Sequence, residues 1–204
     1  ARAREAAAAA QAEGERLAKR MAEAELKLLQ AQVEPHFLFN TLANLRWLVQ
    51  QQSPDALAML DHLIDYLRTA LPEMRAESST VGREAALARA YLEILRIRMG
   101  GALAVAIDVP AELAPHAFPP LMLMTLVENA VKHGIAPVGR GRIAIRAARA
   151  GDRLRLEVED DGRGLAGEPG TGVGLANVRE RLAALHGGRA SLVLSPRAAA
   201  APRP

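Results

Sequence analysis

"LEVEDDGRGLAGEPGTGVGLANV", Leu156 to Val178, carries an alternating strand pattern into two adjacent carboxylates, then through six glycines into a helical pattern. Glycine permits positive φ and close backbone approach, as the cradling of phosphates requires. "GTGVG" (Gly170–Gly174) runs straight into "LANVRERLAALHG". A helix opening there offers unpaired N–H groups and the positive end of its dipole. Asp160, where the strand pattern ends, could accept a hydrogen bond from an exocyclic amine such as that of adenine. A glycine-rich surface loop without a ligand is the other reading of the same residues. "GRGLAG" (Gly162–Gly167) mimics the dinucleotide fingerprint G-x-G-x-x-G. Glu168-Pro169-Gly170 follows it, however, where a helix cannot easily open, and the βαβ setting is missing. Walker A is absent too, so a nucleotide site here needs a different architecture.

Upstream, "HAFPPLMLMTLVENAVKHGI" predicts a helix entered through Pro119 and Pro120. Thr125, Asn129, Lys132 and His133 fall at i, i+4, i+7 and i+8, one polar stripe on an apolar helix. Such a stripe can simply face water. Its content also suits a nucleotide: the Asn129 carboxamide is a hard oxygen ligand for Mg²⁺, and Lys132 is a point charge for phosphates. "ALAVAIDVP", "GRIAIRAA" and "DRLRLEVED" alternate like strands, the last two as a hairpin around "RAGD". A final strand is expected in "RASLVLS". Helices and strands mix without regular βαβ alternation, which predicts an α+β sandwich over 101–196.

Toward the N-terminus the chain becomes helical. Residues 1–27 are alanine-rich with interspersed charges and read as a coiled-coil lead-in. Over 28–76, Leu28, Ala31, Pro35, Leu38, Leu42, Leu45 and Val49 keep three- and four-residue steps, as do Leu57, Leu60, Ile64, Leu67 and Leu71. "QSPDA" interrupts them, with Ser53 as N-cap and Pro54 at the first helical position; Pro72 closes the second helix. Two helices on a short turn form a hairpin with too little core, which dimerisation into a four-helix bundle would complete. Residues 77–100 read as a connector and a third helix ended by Gly100 and Gly101. Residues 197–204 read as a disordered tail.

"PHFLFN" stands out in the first hairpin helix. On the heptad above, Pro35 is at a, so His36 and Asn40 lie away from the seam, four residues apart and within reach of each other. A neutral imidazole is a nitrogen nucleophile; a solvated surface histidine is the plainer reading. Phe37 also points away from the seam and either packs on the second helix or serves docking. Pro35 removes a backbone hydrogen bond just before His36, which would allow a bend.

Composition limits the alternatives. Of 204 residues, half are hydrophobic and 3% aromatic, with 26 Lys+Arg against 23 Asp+Glu. The net +3 is spread along the chain, which gives no support to direct nucleic-acid binding. There is no cysteine, so disulfides, thiolate catalysis and Cys-based zinc sites are excluded. No apolar run approaches the ~20 residues of a membrane span, and no signal-peptide pattern is present. A start at Ala1 suggests a portion of something longer.

Together, "PHFLFN" (Pro35–Asn40), "VENAVKHG" (Val127–Gly134), "DDGRG" (Asp160–Gly164) and "GTGVGLANVRERL" (Gly170–Leu182) resemble the phosphoacceptor box, N-box and G-boxes of LytS-type sensor histidine kinases, in the GHKL group of ATP-binding proteins. Each piece is modest alone; in this order and at these separations they are specific. The resemblance implies a Bergerat-type α/β sandwich binding ATP and Mg²⁺, behind a dimeric helical hairpin. It implies autophosphorylation of His36, with Asn40 orienting the ring, and Asn129 as Mg²⁺ ligand. Asp160 would recognise the adenine amine, with Gly162 and Gly164 giving the backbone room beside it. Gly170, Gly172 and Gly174 would form a lid and phosphate-contacting turn, and Lys132 and His133 would face the phosphates. A response regulator, often of LytTR type, would accept the phosphoryl group on an aspartate. The kinase would be the cytoplasmic portion of an inner-membrane-anchored sensor. Where many other histidine kinases place an acid after the reactive histidine, Phe37 stands here. An anti-sigma type serine kinase and a non-catalytic dimeric scaffold of the same fold are the competing functions.

Overall fold

The structure is a computed structural model that describes residues 35–164 and 173–196. The lead-in, the tail, and Gly170 and Gly172 of the glycine loop lie outside the described residues, as does the segment before Pro35 on which the expected bend depends. The chain divides into two compact units, residues 1–43 and residues 44–204.

Helix α1 (Pro35–Gln50) crosses that boundary. Its first part buries Phe37 and Thr41, the Thr41 hydroxyl donating to the Phe37 carbonyl at 2.8 Å. Phe37, Thr41 and Leu48 are buried, while Leu42 and Val49 of the heptad seam are 51% and 60% exposed.

Four residues, Gln51 to Pro54, lead into helix α2 (Asp55–Glu73). Pro54 already has helical φ and ψ, and the Ser53 hydroxyl accepts from Asp55 N at 3.2 Å. Pro72 lies inside the last turn, one residue before the helix ends. The buried face of α2 is Met59, Leu63, Tyr66 and Ala70; the expected seam of Leu57, Leu60 and Ile64 is exposed. That buried face packs along helix α3 (Val81–Arg98), with the Tyr66 and Tyr91 rings 6.2 Å apart. Each fully buried side chain of this size contributes about 1.5–3 kcal/mol.

A two-residue strand, β1 (Ser79–Thr80), precedes α3, and Thr80 caps the helix by accepting from Arg83 N. It pairs antiparallel with β3 (Ala117–Phe118). Strand β2 (Leu103–Asp108) pairs in parallel with β4 (Gly141–Ala150), which pairs antiparallel with β5 (Arg153–Asp160), giving the order β2-β4-β5. The β4–β5 hairpin turns at Gly151, whose φ of 65° suits the left-handed region. Ile143, Ile145 and Ala147 alternate onto the buried face of β4. Helix α3, helix α4 (Met122–Asn129) and helix α5 (Val173–His186) supply the opposing layer, through Leu92, Ile94, Leu123, Val127, Leu175 and Val178. This is the α+β architecture the sequence predicts. One strand is not formed: after a 3₁₀ turn at Gly187–Arg189, residues 190–196 join no ladder. Leu192 and Leu194 are half-buried and Val193 is exposed, so the alternation records which side faces the protein, not whether the backbone has a partner.

Candidate nucleotide site and phosphoacceptor helix

Strand β5 delivers Asp160 and Asp161 to the end of the sheet, where the two acids diverge. Asp161 Oδ1 accepts from Arg142 N at 2.5 Å, while Asp161 N donates to Arg142 O at 3.2 Å. Asp161 therefore ties the end of β5 to the start of β4. Asp160 turns the other way, onto Gly134 and Gly162. Its Oδ1 accepts from Gly162 N at 3.1 Å, and Arg163 N donates to Gly134 O at 3.0 Å. A Cβ on Gly134 would overlap the Asp160 carboxylate, and one on Gly162 would overlap the Gly134 backbone. Neither position tolerates a side chain. Among the described residues no donor is paired with Asp160 Oδ2, which leaves an acceptor for an exocyclic amine. Gly134 is a site residue that the reading of polar and charged side chains missed; it is visible in sequence only as the last letter of "VENAVKHG".

Gly134 reaches that place because α4 does not continue as an α-helix. From Ala130 to Ile135 the chain is a π-helix, with Ala136 N bonded to Val131 O at 2.8 Å. Single π turns are frequent at functional sites. The extra residue in the turn means that Thr125, Asn129, Lys132 and His133 do not form one continuous α-helical stripe. Thr125 and Asn129 are half-buried at the end of α4, whereas Lys132 and His133 are exposed on the π turn. Gly174, at the start of α5, faces Thr125: a Cβ there would lie 3.5 Å from Thr125 Cγ2. Gly164 holds φ of 78° after the acids.

The donor set fits Mg²⁺ brought in on a nucleotide. Among the described residues no group of three or more His, Asp or Glu could hold a metal. The Asn129 carboxamide is the hard oxygen at hand, and Mg²⁺ usually takes one or two protein ligands beside phosphate oxygens and water.

The first unit holds the other candidates. His36 is exposed on α1, and Asn40, one turn on, places Nδ2 at 3.0 Å from Nε2 and 3.2 Å from Nδ1 of the ring. A neutral imidazole has one lone-pair nitrogen. When the Asn40 amide donates to it, that nitrogen is occupied; when the carboxamide oxygen accepts the ring N–H, the lone pair on the other side is free to attack. The Asn40 amide lies within reach of both ring nitrogens, so the contact holds the ring beside Asn40 with either tautomer.

Comparison with known proteins matches both parts. The family described as Histidine kinase matches residues 24–103, and that described as Histidine kinase-, DNA gyrase B-, and HSP90-like ATPase matches residues 119–200. The sensor histidine kinase BtsS of Escherichia coli is 38% identical over 148 residues, 72% of this chain and 26% of that protein. The sensor histidine kinase/phosphatase LytS of Staphylococcus aureus is 32% identical over 195 residues, 88% of this chain and 33% of that protein. Among solved structures, the histidine kinase domain of the Erythrobacter litoralis blue-light activated histidine kinase aligns at a TM-score of 0.40 and 21% identity, covering 79% of this chain and 82% of that one. The chain spans about a quarter to a third of the length of these curated relatives. With a histidine kinase segment and an ATPase segment matched in that order, the chain carries the paired segments of the histidine kinases and is similar to the LytS-type members over about a third of their length.

Proposed function

We propose that the chain is the kinase portion of a two-component sensor. ATP binds in the second unit, His36 takes its γ-phosphoryl group, and an aspartate of a response regulator receives it. The observation that carries this reading is Asp160, seated on the side-chain-free backbones of Gly134 and Gly162 with one oxygen left to accept. That arrangement suits the edge of an adenine ring, where the amine donates. Lys132 and His133, exposed one turn beyond Asn129, would meet the phosphates. Mg²⁺ held through Asn129 would neutralise charge on the triphosphate.

In the transfer, the lone-pair nitrogen of His36 attacks the γ-phosphorus. The bond from that phosphorus to the bridging oxygen breaks, and ADP leaves with the electron pair. The ring, now phosphorylated on one nitrogen and protonated on the other, loses its remaining proton to solvent. Positioning and charge supply most of the catalysis in such transfers, so a strong base is not required.

A homodimer is part of the proposal. Leu57, Leu60 and Ile64 lie exposed along α2, with Val49 exposed on α1, as a seam awaiting a second copy would be. The acceptor is proposed to be a response regulator of LytTR type. Among the described residues no helix is long and apolar enough to cross a membrane, so inner-membrane anchorage would be the work of a sensor portion beyond these residues, with the kinase on the cytoplasmic side.

Incubation with γ-labelled ATP and Mg²⁺ tests the reading. The parent should acquire an acid-labile, base-stable label that His36→Gln lacks. Label persisting in His36→Gln, or an acid-stable label as on serine, would overturn it.

A further inference from the structure

Helix α4 is eight residues long, about 12 Å at 1.5 Å per residue, and ends at Asn129. Its placement therefore fixes where Asn129 and the π turn stand. Its start is unusual. The residue before it, Leu121, has no side chain able to cap, and it holds φ of 59°, the left-handed region that a leucine rarely occupies. The missing cap comes from α3. Glu84 Oε1 accepts from Leu121 N at 2.8 Å, and Oε2 accepts from Leu123 N at 3.1 Å. From the other side, Arg181 of α5 donates to the Pro120 carbonyl at 2.7 Å.

Glu84 is fully buried. A buried carboxylate normally needs a cation. Another acid, Glu73, the last residue of α2, adds like charge to Glu84; it is itself buried and lies 3.6 Å from Arg83. The compensation for Glu84 is instead the two N–H groups and the positive end of α4, with the Ser79 side chain beside them. A leucine or glutamine would fill that core position at lower desolvation cost, yet would leave the start of α4 without its double acceptor.

We propose that Glu84 is the positioning residue of the nucleotide helix: by accepting both Leu121 N–H and Leu123 N–H it holds α4 in the place where Asn129 meets Mg-ATP. This rests on the reading of Asn129 and the π turn as the phosphate end of the site. The carboxylate touches no nucleotide and acts through the helix alone.

The test uses the full chain with Glu84→Gln and Glu84→Asp. Amide hydrogen exchange is followed by NMR, Mg-ATP affinity by calorimetry with a non-hydrolysable analogue, and labelling of His36 at saturating ATP. An amide at 84 offers one good acceptor to two donors. Glu84→Gln should speed exchange at Leu121 and Leu123 about tenfold and weaken Mg-ATP binding about tenfold, ~1.4 kcal/mol. Labelling at saturating ATP should stay within about twofold of the parent, because helix placement is recovered once nucleotide is bound. Glu84→Asp keeps both oxygens on a shorter arm and should recover part of the affinity; it also carries the test if Glu84→Gln does not fold. Parent-like affinity in Glu84→Gln would overturn the proposal. So would exchange rising equally across β4 and β5 with unchanged affinity, the mark of an ordinary core residue. Should the parent itself neither bind nucleotide nor acquire label, the kinase reading fails, while exchange at Leu121 and Leu123 still judges whether Glu84 holds the helix.

Discussion

Asp160 and Asp161 are neighbours of identical chemistry with different work. Asp161 is occupied with the backbone of Arg142, and Asp160 sits on Gly134 and Gly162. Their substitutions should therefore separate. With nucleotide at about a hundred times its Kd, binding adds ~2.7 kcal/mol to the folded state. Asp160→Asn should lose most of that gain while melting near the parent without nucleotide. Asp161→Ala should melt lower by about 1 kcal/mol and keep the nucleotide-dependent rise. Thermal melts with and without Mg-ATP measure both, and identical behaviour of the two variants would refute the division. Gly134→Ala drives a methyl group into the Asp160 carboxylate; nucleotide affinity measured by titration should fall about tenfold or more, in line with the cost of an overpacked contact. The two acids could be read as a strand end meeting a glycine loop. Their division of labour could not, because it depends on what β4 and the π turn bring alongside.

At the scale of elements, α4 depends on α3 for its cap, and this dependence has a pH signature. Burial lifts the Glu84 carboxyl above its ordinary value, aided by the like charge of Glu73 and opposed by the Leu121 and Leu123 N–H groups and the Ser79 side chain. The folded chain therefore holds that proton more tightly than the unfolded chain. Its contribution is fully present below the ordinary value of 4.5 and is lost as pH rises through the folded value. In urea melts from acid to neutral pH, the stability difference of parent minus Glu84→Gln should shrink as pH rises. A difference that stays constant or grows contradicts the assignment. Most elements themselves were legible. α3 ends at paired glycines with φ of 59° and 81°, and the hairpin turns at "GD" within "RAGD". The cap of α4 was not, since its acceptor stands 37 residues away from Leu121.

Across the whole molecule, the heptad pattern marks a surface that this chain leaves exposed. Leu57 and Ile64 are 68% and 42% exposed, although their spacing is that of a packing seam. Leu57→Glu with Ile64→Glu should halve the mass seen by light scattering, from dimer to monomer, and leave Mg-ATP affinity unchanged. A parent that is already monomeric at micromolar concentration, or a double variant that remains dimeric, would remove this seam as the interface. Repulsion between like charges across a packed seam, together with the lost apolar burial, is ample to separate such a contact.

The sequence alone determined most of the order of helices and strands, the α+β class and the run of glycines beside an acid. These are written in local periodicity and in the backbone freedom of single residues, which neighbours a few positions apart can express. Tertiary structure alone decided which apolar stripe of α2 faces inward, that Gly134 rather than a polar side chain floors the acid's seat, and that a buried glutamate from α3 starts α4. Each of those is a contact between segments distant in the chain. Such contacts are set by how buried surfaces fit and by which buried polar groups can satisfy one another, neither of which is encoded in the spacing of any one segment.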